Sequence, residues 1–336
     1  MPNQGRIPKL LTALFDAVGK NANPTTKQES TGLLDFLFDP KNNRNSLQYD
    51  RGGSKYGEVE VKYIPRGTKA TVKNVQSSTL NSPNKPTFEK VNVTANGVFF
   101  QEFQLDFTEV EQIAEGRSEM LNGLVETQME GLRQAIEAYY ATQVALAFGL
   151  NRVTGTNTAR VATILNADGT INAKGITSFD QDMRTNLMKN YAIIGDGNIL
   201  SLGGLNQYKT PITPVQGNMV TNQMLNTYYS EQLTANLGLN QTAVVELGAL
   251  QPVVVNRYTS LEGIQGDQTR FARIADPKVN GLIYDMKVHM NTAYPEGYFV
   301  EFGARFGLFS IPLDAYKVGD PMRGNNGVFR YEFASL

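Results

Sequence analysis

The chain has 336 residues, 41% of them hydrophobic, and sets 31 Lys and Arg against 32 Asp and Glu for a net charge of -1. This composition supplies apolar material for one large domain or two and excludes a disordered chain, while the balanced charge excludes a global polycation that would condense on nucleic acid or anionic lipid. The absence of cysteine excludes a disulfide framework, a cysteine-based zinc site and a thiol nucleophile, and fits a reducing compartment.

Residues 1–50 hold two short apolar patches, 10–18 and 33–38, set among segments rich in Asn, Pro, Thr and Lys. The first patch, Leu10-Leu11-Thr12-Ala13-Leu14-Phe15 behind Arg6 and Lys9, has the outline of a signal peptide, but Asp16 ends the apolar run too early. No run of about 18 apolar residues is present to span a membrane. An isolated helix shorter than about 12 residues is marginal in water, so this region reads as an arm that docks on the body or on a neighbour.

Over residues 55–107 the pattern changes to strand alternation. Val59, Val61 and Tyr63 alternate with Glu58, Glu60 and Lys62, and Phe103, Leu105 and Phe107 alternate with polar residues. Between them residues 77–87, with Pro83, Pro86, Ser and Asn, have the chemistry of a loop tip. A long two-stranded ribbon is predicted. Because such a ribbon is at best marginally stable alone, it is expected to lie on its own domain or on another subunit.

Residues 107–150 read as one unbroken amphipathic helix, which would run roughly 60 Å. Val110, Ile113, Leu121, Leu124, Val125, Leu132, Ala135, Ile136 and Tyr139 share one arc about 140° wide, and Glu111, Glu115, Glu119, Glu126, Glu130 and Glu137 share another about 100° wide. Arg133 is the one basic residue on the acidic arc. Like charges at i, i+4 destabilise a helix by a few tenths of a kcal/mol per pair, so the stripe is either a solvated face or the counterpart of something basic. Gly116, Gly123 and Gly131 each cost about 1 kcal/mol against Ala and mark bends or close approaches. The charge is also unevenly placed. Residues 1–100 carry 14 basic and 8 acidic side chains, a balance of +6, and residues 101–150 carry 2 and 9, a balance of -7. The basic arm and hairpin and the acidic helix are suited to pair between copies.

Beyond a polar loop at residues 154–158, a hairpin with its turn at Asn166-Ala167-Asp168-Gly169 leads into a helix near Ser178. A strand at 191–194 meets Gly195-Asp196-Gly197-Asn198 and a helix reaching Tyr208. A further helix over 218–236 and strands at 243–247 and 252–256 complete a compact α/β subdomain. The remainder is β-rich, with strands at 281–290, 297–302 and 305–311. No repeat of 20–50 residues is present.

Catalytic chemistry finds little to work with. His289, the single histidine, falls on the Asp285 and Lys287 face of a strand and reads as a sheet-surface residue. The Gly195-Asp196-Gly197 turn lacks the third glycine of a dinucleotide fingerprint and the Gly-Lys-Ser/Thr of a P-loop, so it reads as an ordinary strand-to-helix turn. Glu296 and Glu301 flank a strand, with no spacing that singles them out as an acid and base pair. Arg117 projects near the apolar arc, where it snorkels or makes an interface ion pair. Asn92-Val93-Thr94 and Asn240-Gln241-Thr242 match glycosylation sequons that carry no weight without a secretory signal. No enzyme, cofactor or metal site is predicted.

The order of these elements resembles the major capsid protein family of tailed bacteriophages, the coat fold of the Hong Kong ninety-seven phage type, which encapsulin nanocompartments share. The resemblance is one of architecture over essentially the whole chain. It implies an α+β fold: an N-terminal arm at 1–54, an extended β-hairpin loop at 55–106, a long spine helix and the start of a peripheral β-rich domain at 107–154, an inserted axial α/β domain at 155–258, and returning peripheral strands at 259–336. The implied function is self-assembly as hexamers and pentamers into an icosahedral shell enclosing phage double-stranded DNA, within a virion assembled in the host bacterial cytoplasm. Some 50 arm residues are too few for the cleaved scaffolding segment of many relatives, so either the chain is a mature form or scaffolding is a separate protein, and a native Met1 favours the second; separate scaffolding and portal proteins are the implied partners. In such coats the hairpin crosses a neighbour's spine helix, so Lys62, Arg66, Lys69 and Lys73 are expected to face Glu111, Glu115, Glu119 and Glu126 of an adjacent copy. Arg6, Lys9 and Lys20 are expected to face the lumen and its DNA. Some relatives form lysine to asparagine cross-links, and Lys85 and Asn84 lie near the hairpin tip, though nothing selects a pair. The competing readings are an encapsulin-like compartment, which a cargo-peptide pocket would mark, a tail or fibre component, which an elongated trimer would mark, and a non-classical enzyme, which a compact monomer with a deep polar cleft would mark.

Overall fold

The computed structural model describes residues 6–20, 31–43, 46–49, 57–65, 88–115, 119–168, 172–188, 190–195, 226–238, 240–256, 262–264, 269–291, 297–314, 320 and 322–335. In chain order the elements are α1 (Arg6–Lys20), α2 (Gly32–Phe38), β1 (Ser46–Tyr49), β2 (Glu58–Tyr63), β3 (Glu89–Thr94), β4 (Gly97–Leu105), α3 (Phe107–Ala114), α4 (Glu119–Leu146), β5 (Arg160–Leu165), α5 (Ala173–Thr185), β6 (Tyr191–Gly195), β7 (Asn226–Tyr229), α6 (Glu231–Leu237), β8 (Gln241–Glu246), β9 (Leu250–Val255), β10 (Glu262–Ile264), β11 (Thr269–Ala275), β12 (Ile283–Asn291), β13 (Gly297–Ser310) and β14 (Val328–Ser335). The fold is mixed α+β. Two compact units share the chain: unit 1 takes Met1–Pro40, Thr94–Ala141 and Pro252–Gly307, and unit 2 takes Lys41–Val93, Thr142–Gln251 and Leu308–Leu336.

Unit 1 is built on an antiparallel sheet in the order β10-β11-β12-β13-β4, with β9 also pairing β13. Its register aligns Val288, Val300 and Phe103 across three strands. Strand alternation sends Ala272, Ile274, Tyr284, Met286, Val288, Tyr298, Val300, Phe302 and Phe103 to one buried face. That face meets α4, where Tyr139 packs against Phe99 and Tyr140 against Phe306. Gly97 is required there, because a Cβ would lie 2.8 Å from the Tyr139 ring.

The buried stripe of α4 within unit 1 is Leu121, Val125, Met129, Leu132, Ile136 and Tyr140. It is rotated from the expected arc: Leu124, Ala135 and Tyr139 are only half-buried, and Arg133 and Glu137, expected on an open acidic face, are inside. The expected single helix is also divided. Asp106 and Glu109 form a reciprocal capping box that starts α3, with bonds of 2.7 and 2.9 Å, and Glu115 is its C-cap. Residues 116–118, Arg117 among them, lie outside the described residues. The arm patches fold as helices and pack within the unit: α1 lies on α3 and buries Leu10, Leu11, Leu14, Ala17 and Val18, and α2 buries Leu33 through Phe38 save Asp35.

In unit 2, a mixed five-stranded sheet runs β5-β14-β8-β6-β7, with β5 and β14 parallel, β6 and β7 parallel, and the other two pairings antiparallel. On one face Ile176, Phe179 and Met183 of α5 pack against Ala162, Ile164, Ile193, Val244, Phe329, Tyr331 and Phe333. Leu233 and Leu237 of α6 are buried, and α6 packs on β8 and β6. Arg330 donates to the Leu237 carbonyl at 2.8 Å, a cation at the negative end of that helix. The second sheet, β1-β2-β3, turns Val59, Val61 and Tyr63 inward, where Tyr63 meets Phe309.

Several expectations are corrected by pairing. The ribbon over 55–106 is not one pair of strands. Strand β2 lies between β1 and β3, whereas Phe103 and Leu105 of β4 pair with Val300 and Tyr298 of β13, on the buried face of the unit 1 sheet. The strands expected at 297–302 and 305–311 are one strand, β13. The helix expected over 218–236 gives way to β7 and α6, because Ser230 caps the latter through the Leu233 amide at 3.3 Å. The helix expected near Ser178 starts at Ala173, where Asn172 accepts from the Lys174 and Gly175 amides. Helix α4 ends at Leu146 and not at Leu150, since the Gly149 and Leu150 amides bond the Val328 and Gly324 carbonyls at 2.9 and 2.7 Å. Finally, β14, expected among the peripheral strands, sits between β5 and β8 in the sheet of the inserted region. The helix expected to reach Tyr208 and the Pro83 and Pro86 tip lie outside the described residues.

Gly175 shows how tightly α5 seats on β5, since an added Cβ would fall 1.8 Å from the Thr163 carbonyl oxygen. Gly175→Ala is therefore expected to destabilise the protein by about 3 kcal/mol, at the upper end of ordinary overpacking. A urea midpoint unchanged from wild type would refute this packing.

Candidate functional site

The described residues contain no group of three or more His, Cys, Asp or Glu placed to hold a metal ion, and no helix long and apolar enough to cross a membrane. His289 stands on β12 in the row of Asp285 and Lys287, as alternation predicts, and its ring stacks on Phe299 with centroids 5.2 Å apart. Burial and the neighbouring Lys287 lower its pKa, against the pull of Glu102 and Glu301. On the same face Glu102 is set directly opposite Glu301, a destabilising like-charge pair, with Lys287 opposite Glu301 on the other side. Glu296 and the turn beyond Gly195 lie outside the described residues.

Arg133 and Glu137 are 3% and 1% exposed. Arg133 Nε donates to Asp276 Oδ2 at 2.8 Å, and Tyr284 OH donates to the same oxygen at 2.9 Å. Asp276 Oδ1 accepts from the Lys278 and Val279 amides at 2.8 and 2.9 Å, the pattern of a short side chain organising a turn. Burial first, then the Asp276 charge, push the Tyr284 hydroxyl well above its ordinary pKa. Arg133 Nη2 is buried with no hydrogen-bond partner. Sequence reading missed this cluster. Its signal was present, since Arg133 lies four residues after Met129 and three before Ile136, on the buried stripe.

The residues expected to carry subunit contacts lie on both units. Lys62 of β2 is half-buried and 3.7 Å from Glu60, which also takes Lys90 of β3 at 3.1 Å, so two ammonium groups share one carboxylate. Arg66, Lys69 and Lys73 lie outside the described residues, as do Lys85 and Asn84. Glu111 and Glu115 are exposed one turn apart at the C-terminal end of α3, Glu119 is exposed at the start of α4, and Glu126 is half-buried further along. A helix C-terminus carries partial negative charge, so Glu111 and Glu115 sit where α3 disfavours them, whereas Glu119 sits where α4 favours it. Of the arm residues, Lys9 is exposed, and Arg6 and Lys20 are the end residues of α1.

No protein-family model and no curated protein matches the chain. Solved structures from phages do match, some of them described as capsids. One is from Mycobacterium phage Che8, at 10% identity over 92% of this chain and 93% of that chain, with a TM-score of 0.42. Another is the acidic stable capsid structure of Helicobacter pylori bacteriophage KHP30, at 9% identity over 92% and 91%, with a TM-score of 0.43. A third, from Mycobacterium phage Bobi, is 13% identical over 94% and 93%, with a TM-score of 0.40.

Proposed function

We propose that this chain is the major capsid protein of a tailed bacteriophage, a coat subunit that assembles as hexamers and pentamers into an icosahedral shell around double-stranded DNA. The observation that carries the reading is the order of elements in this chain. Two arm helices are followed by strands β2 and β3 flanking the 66–87 excursion, then by α3 and α4, and a mixed α/β sheet is inserted before the strands β10 to β13 of the first unit return. In this reading the unit 1 sheet with α3 and α4 is the peripheral part, the five-stranded sheet with its two helices is the axial part, and residues 55–94 supply the extended loop.

Charge supports a contact between copies. From Arg66 to Lys85 the excursion carries four basic residues and no acidic one, while Glu111, Glu115 and Glu119 are exposed. Lys62, Arg66, Lys69 and Lys73 of one copy would face Glu111, Glu115, Glu119 and Glu126 of the next. Each exposed pair contributes only about 0.2–1 kcal/mol, so buried apolar area and repetition around a shell supply most of the stability. Scaffolding and portal proteins are separate partners in this reading, and the site of assembly is the host cytoplasm.

Negative-stain electron microscopy with light scattering tests the assembly, on the chain alone and coexpressed with its neighbouring genes. Closed shells or rings of five and six are expected, and a stable compact monomer under both conditions overturns the reading. Arg6, Lys9 and Lys20 would touch the packaged DNA. Because α1 is packed on α3, deleting it would damage the fold, so the informative variant is their joint replacement by Gln. It is expected to leave shells intact and make DNA release more sensitive to salt; an unchanged salt dependence would remove these residues from the lumen.

A further inference from the structure

Four Asn-Gly pairs occur in the chain, at 96-97, 122-123, 280-281 and 326-327. Asparagine is a thermolabile side chain, and a glycine after it removes the Cβ that would otherwise shield the next peptide nitrogen. The fold treats the four pairs differently. Asn96 Oδ1 accepts from Tyr139 OH at 2.6 Å, and Gly97 is held in β4 opposite Phe306. Asn122 and Gly123 lie inside α4. Asn326 is buried, with Nδ2 donating to the Ala147 carbonyl at 2.6 Å and Oδ1 accepting from the Val328 amide at 3.0 Å.

The pair at 280-281 is open. Both residues are exposed in the turn between β11 and β12, which the Leu282 amide closes on the Val279 carbonyl at 3.2 Å. Gly281 is third in that turn, with a φ of +90° that glycine adopts freely. Packing also fixes glycine here, because a Cβ would lie 2.9 Å from the Phe38 carbonyl oxygen. Among the described residues nothing hydrogen-bonds the Asn280 side chain or the Gly281 amide. The corner thus demands the very residue that makes its exposed asparagine reactive.

We propose that the fold selects Asn280 as a self-modification site, deamidated through attack by the backbone nitrogen of Gly281. That nitrogen gives its proton to solvent base and bonds Asn280 Cγ, closing a five-membered succinimide. The side-chain nitrogen takes up a proton from water and leaves as ammonia. The attack is intramolecular, so its rate follows how often the two atoms meet in the right geometry. Water then adds to one of the two ring carbonyls and breaks its bond to nitrogen. Cleavage at Cγ leaves aspartate at position 280, whereas cleavage at the main-chain carbonyl leaves isoaspartate, with the chain running through the side chain. The net change consumes one water, releases one ammonia and transfers no electrons. Either product sets a new carboxylate in the turn that holds Asp276, whose own amide donates to the Leu282 carbonyl at 2.8 Å. The isoaspartyl linkage also adds a methylene to the main chain beside Gly281, where the Phe38 carbonyl packs, so the change marks the age of the subunit at the corner that seats α2.

Peptide mass spectrometry of the full native chain, aged in mildly alkaline heavy-oxygen water, tests this. Ring opening incorporates the label, which separates new product from any acid present beforehand. Labelling at Asn280 is expected to exceed that at Asn96, Asn122 and Asn326 by about tenfold or more, since those three must wait for local opening. In urea, where structure no longer protects any pair, the four are expected to react at similar rates. Chromatography against synthetic peptides should find isoaspartate as well as aspartate at position 280, the signature of the ring. Asn280→Gln, which would have to close a larger ring, is expected to stay unlabelled at that position over the same period. Equal labelling of the four pairs in the native chain, an Asn280 lead that persists unchanged in urea, or labelling at Asn280 without isoaspartate overturns the proposal.

Discussion

Asp276→Ala is expected to remove about 3–5 kcal/mol of stability, the cost of breaking a buried ion pair by deleting one partner. That is a large part of the total, because domains are typically stable by about 5–15 kcal/mol. The reason lies in what is left behind. Arg133 would remain 3% exposed with no carboxylate, and its Nη2 already lacks a partner. Tyr284 OH and the Lys278 and Val279 amides would lose their acceptors in the same step. Tyr284→Phe, which removes one hydrogen bond and leaves the ion pair, is expected to cost only about 1–2 kcal/mol. Arg133→Met combined with Asp276→Asn should cost less than Asp276→Ala, since no charge is stranded and the Asn oxygen still accepts the turn amides. Urea unfolding of the unassembled subunit reads all three. An Asp276→Ala midpoint equal to wild type, or a double variant worse than the single, would mean that the pair does not carry the corner.

Local signals in the sequence were strong where one element decides its own structure. Alternation at Val59, Val61 and Tyr63 placed β2, the apolar run at Tyr191 placed β6, and the patches at Leu10 and Leu33 became the packed faces of α1 and α2. The α+β class was legible for the same reason. Partner choice was not. Phe103 and Leu105 alternate as well as Val59 and Val61 do, but alternation names a face and not a neighbour, and β13 took β4 away from the expected ribbon. Short polar side chains decided other boundaries. Ser230 can cap a helix only if the preceding residues are extended, so β7 replaced helical turns. Asn326 and Val328 capture the chain after Leu146, with Asn326 Nδ2 donating to the Ala147 carbonyl at 2.6 Å, and no local propensity reports a partner about 180 residues away. The acidic arc misled because all its members were weighed as charges. Glu137 and Arg133 lie on the same side as Ile136 and Tyr140, and position on the helix outweighed side-chain type. Of the proposed contact surface, the exposure of Glu111, Glu115 and Glu119 matches a solvated acidic face, and the basic residues it was matched with lie mostly outside the described residues.

Reversing Glu111, Glu115 and Glu119 together to Lys is expected to abolish shell formation while leaving the subunit folded. The three side chains are exposed, so their replacement changes subunit stability by no more than about 0.5 kcal/mol each. The sign at α3 is even favourable, because Lys at positions 111 and 115 would stand at the negative end of the helix dipole where the native Glu residues do not belong. Against that gain, Lys at position 119 would lose the favourable charge at the start of α4, so subunit stability should change little while assembly fails, an outcome that a general loss of structure cannot imitate. Between copies the arithmetic reverses. In the proposed contact, attraction of about 0.2–1 kcal/mol per exposed pair would become repulsion of similar size against the excursion that carries Arg66, Lys69 and Lys73, and a closed shell would repeat that penalty at every contact. Changing Lys62, Arg66, Lys69 and Lys73 to Glu in the same chain should restore attraction with the signs exchanged. High salt should weaken assembly of the wild type and of the doubly reversed chain alike, since screening acts on both. Light scattering and electron microscopy read the shells, and urea unfolding reads the subunit. If the Lys variant assembles as the wild type does, the acidic residues are only a solvated face; if it fails and the compensating changes do not restore shells, Glu111, Glu115 and Glu119 meet some other basic surface.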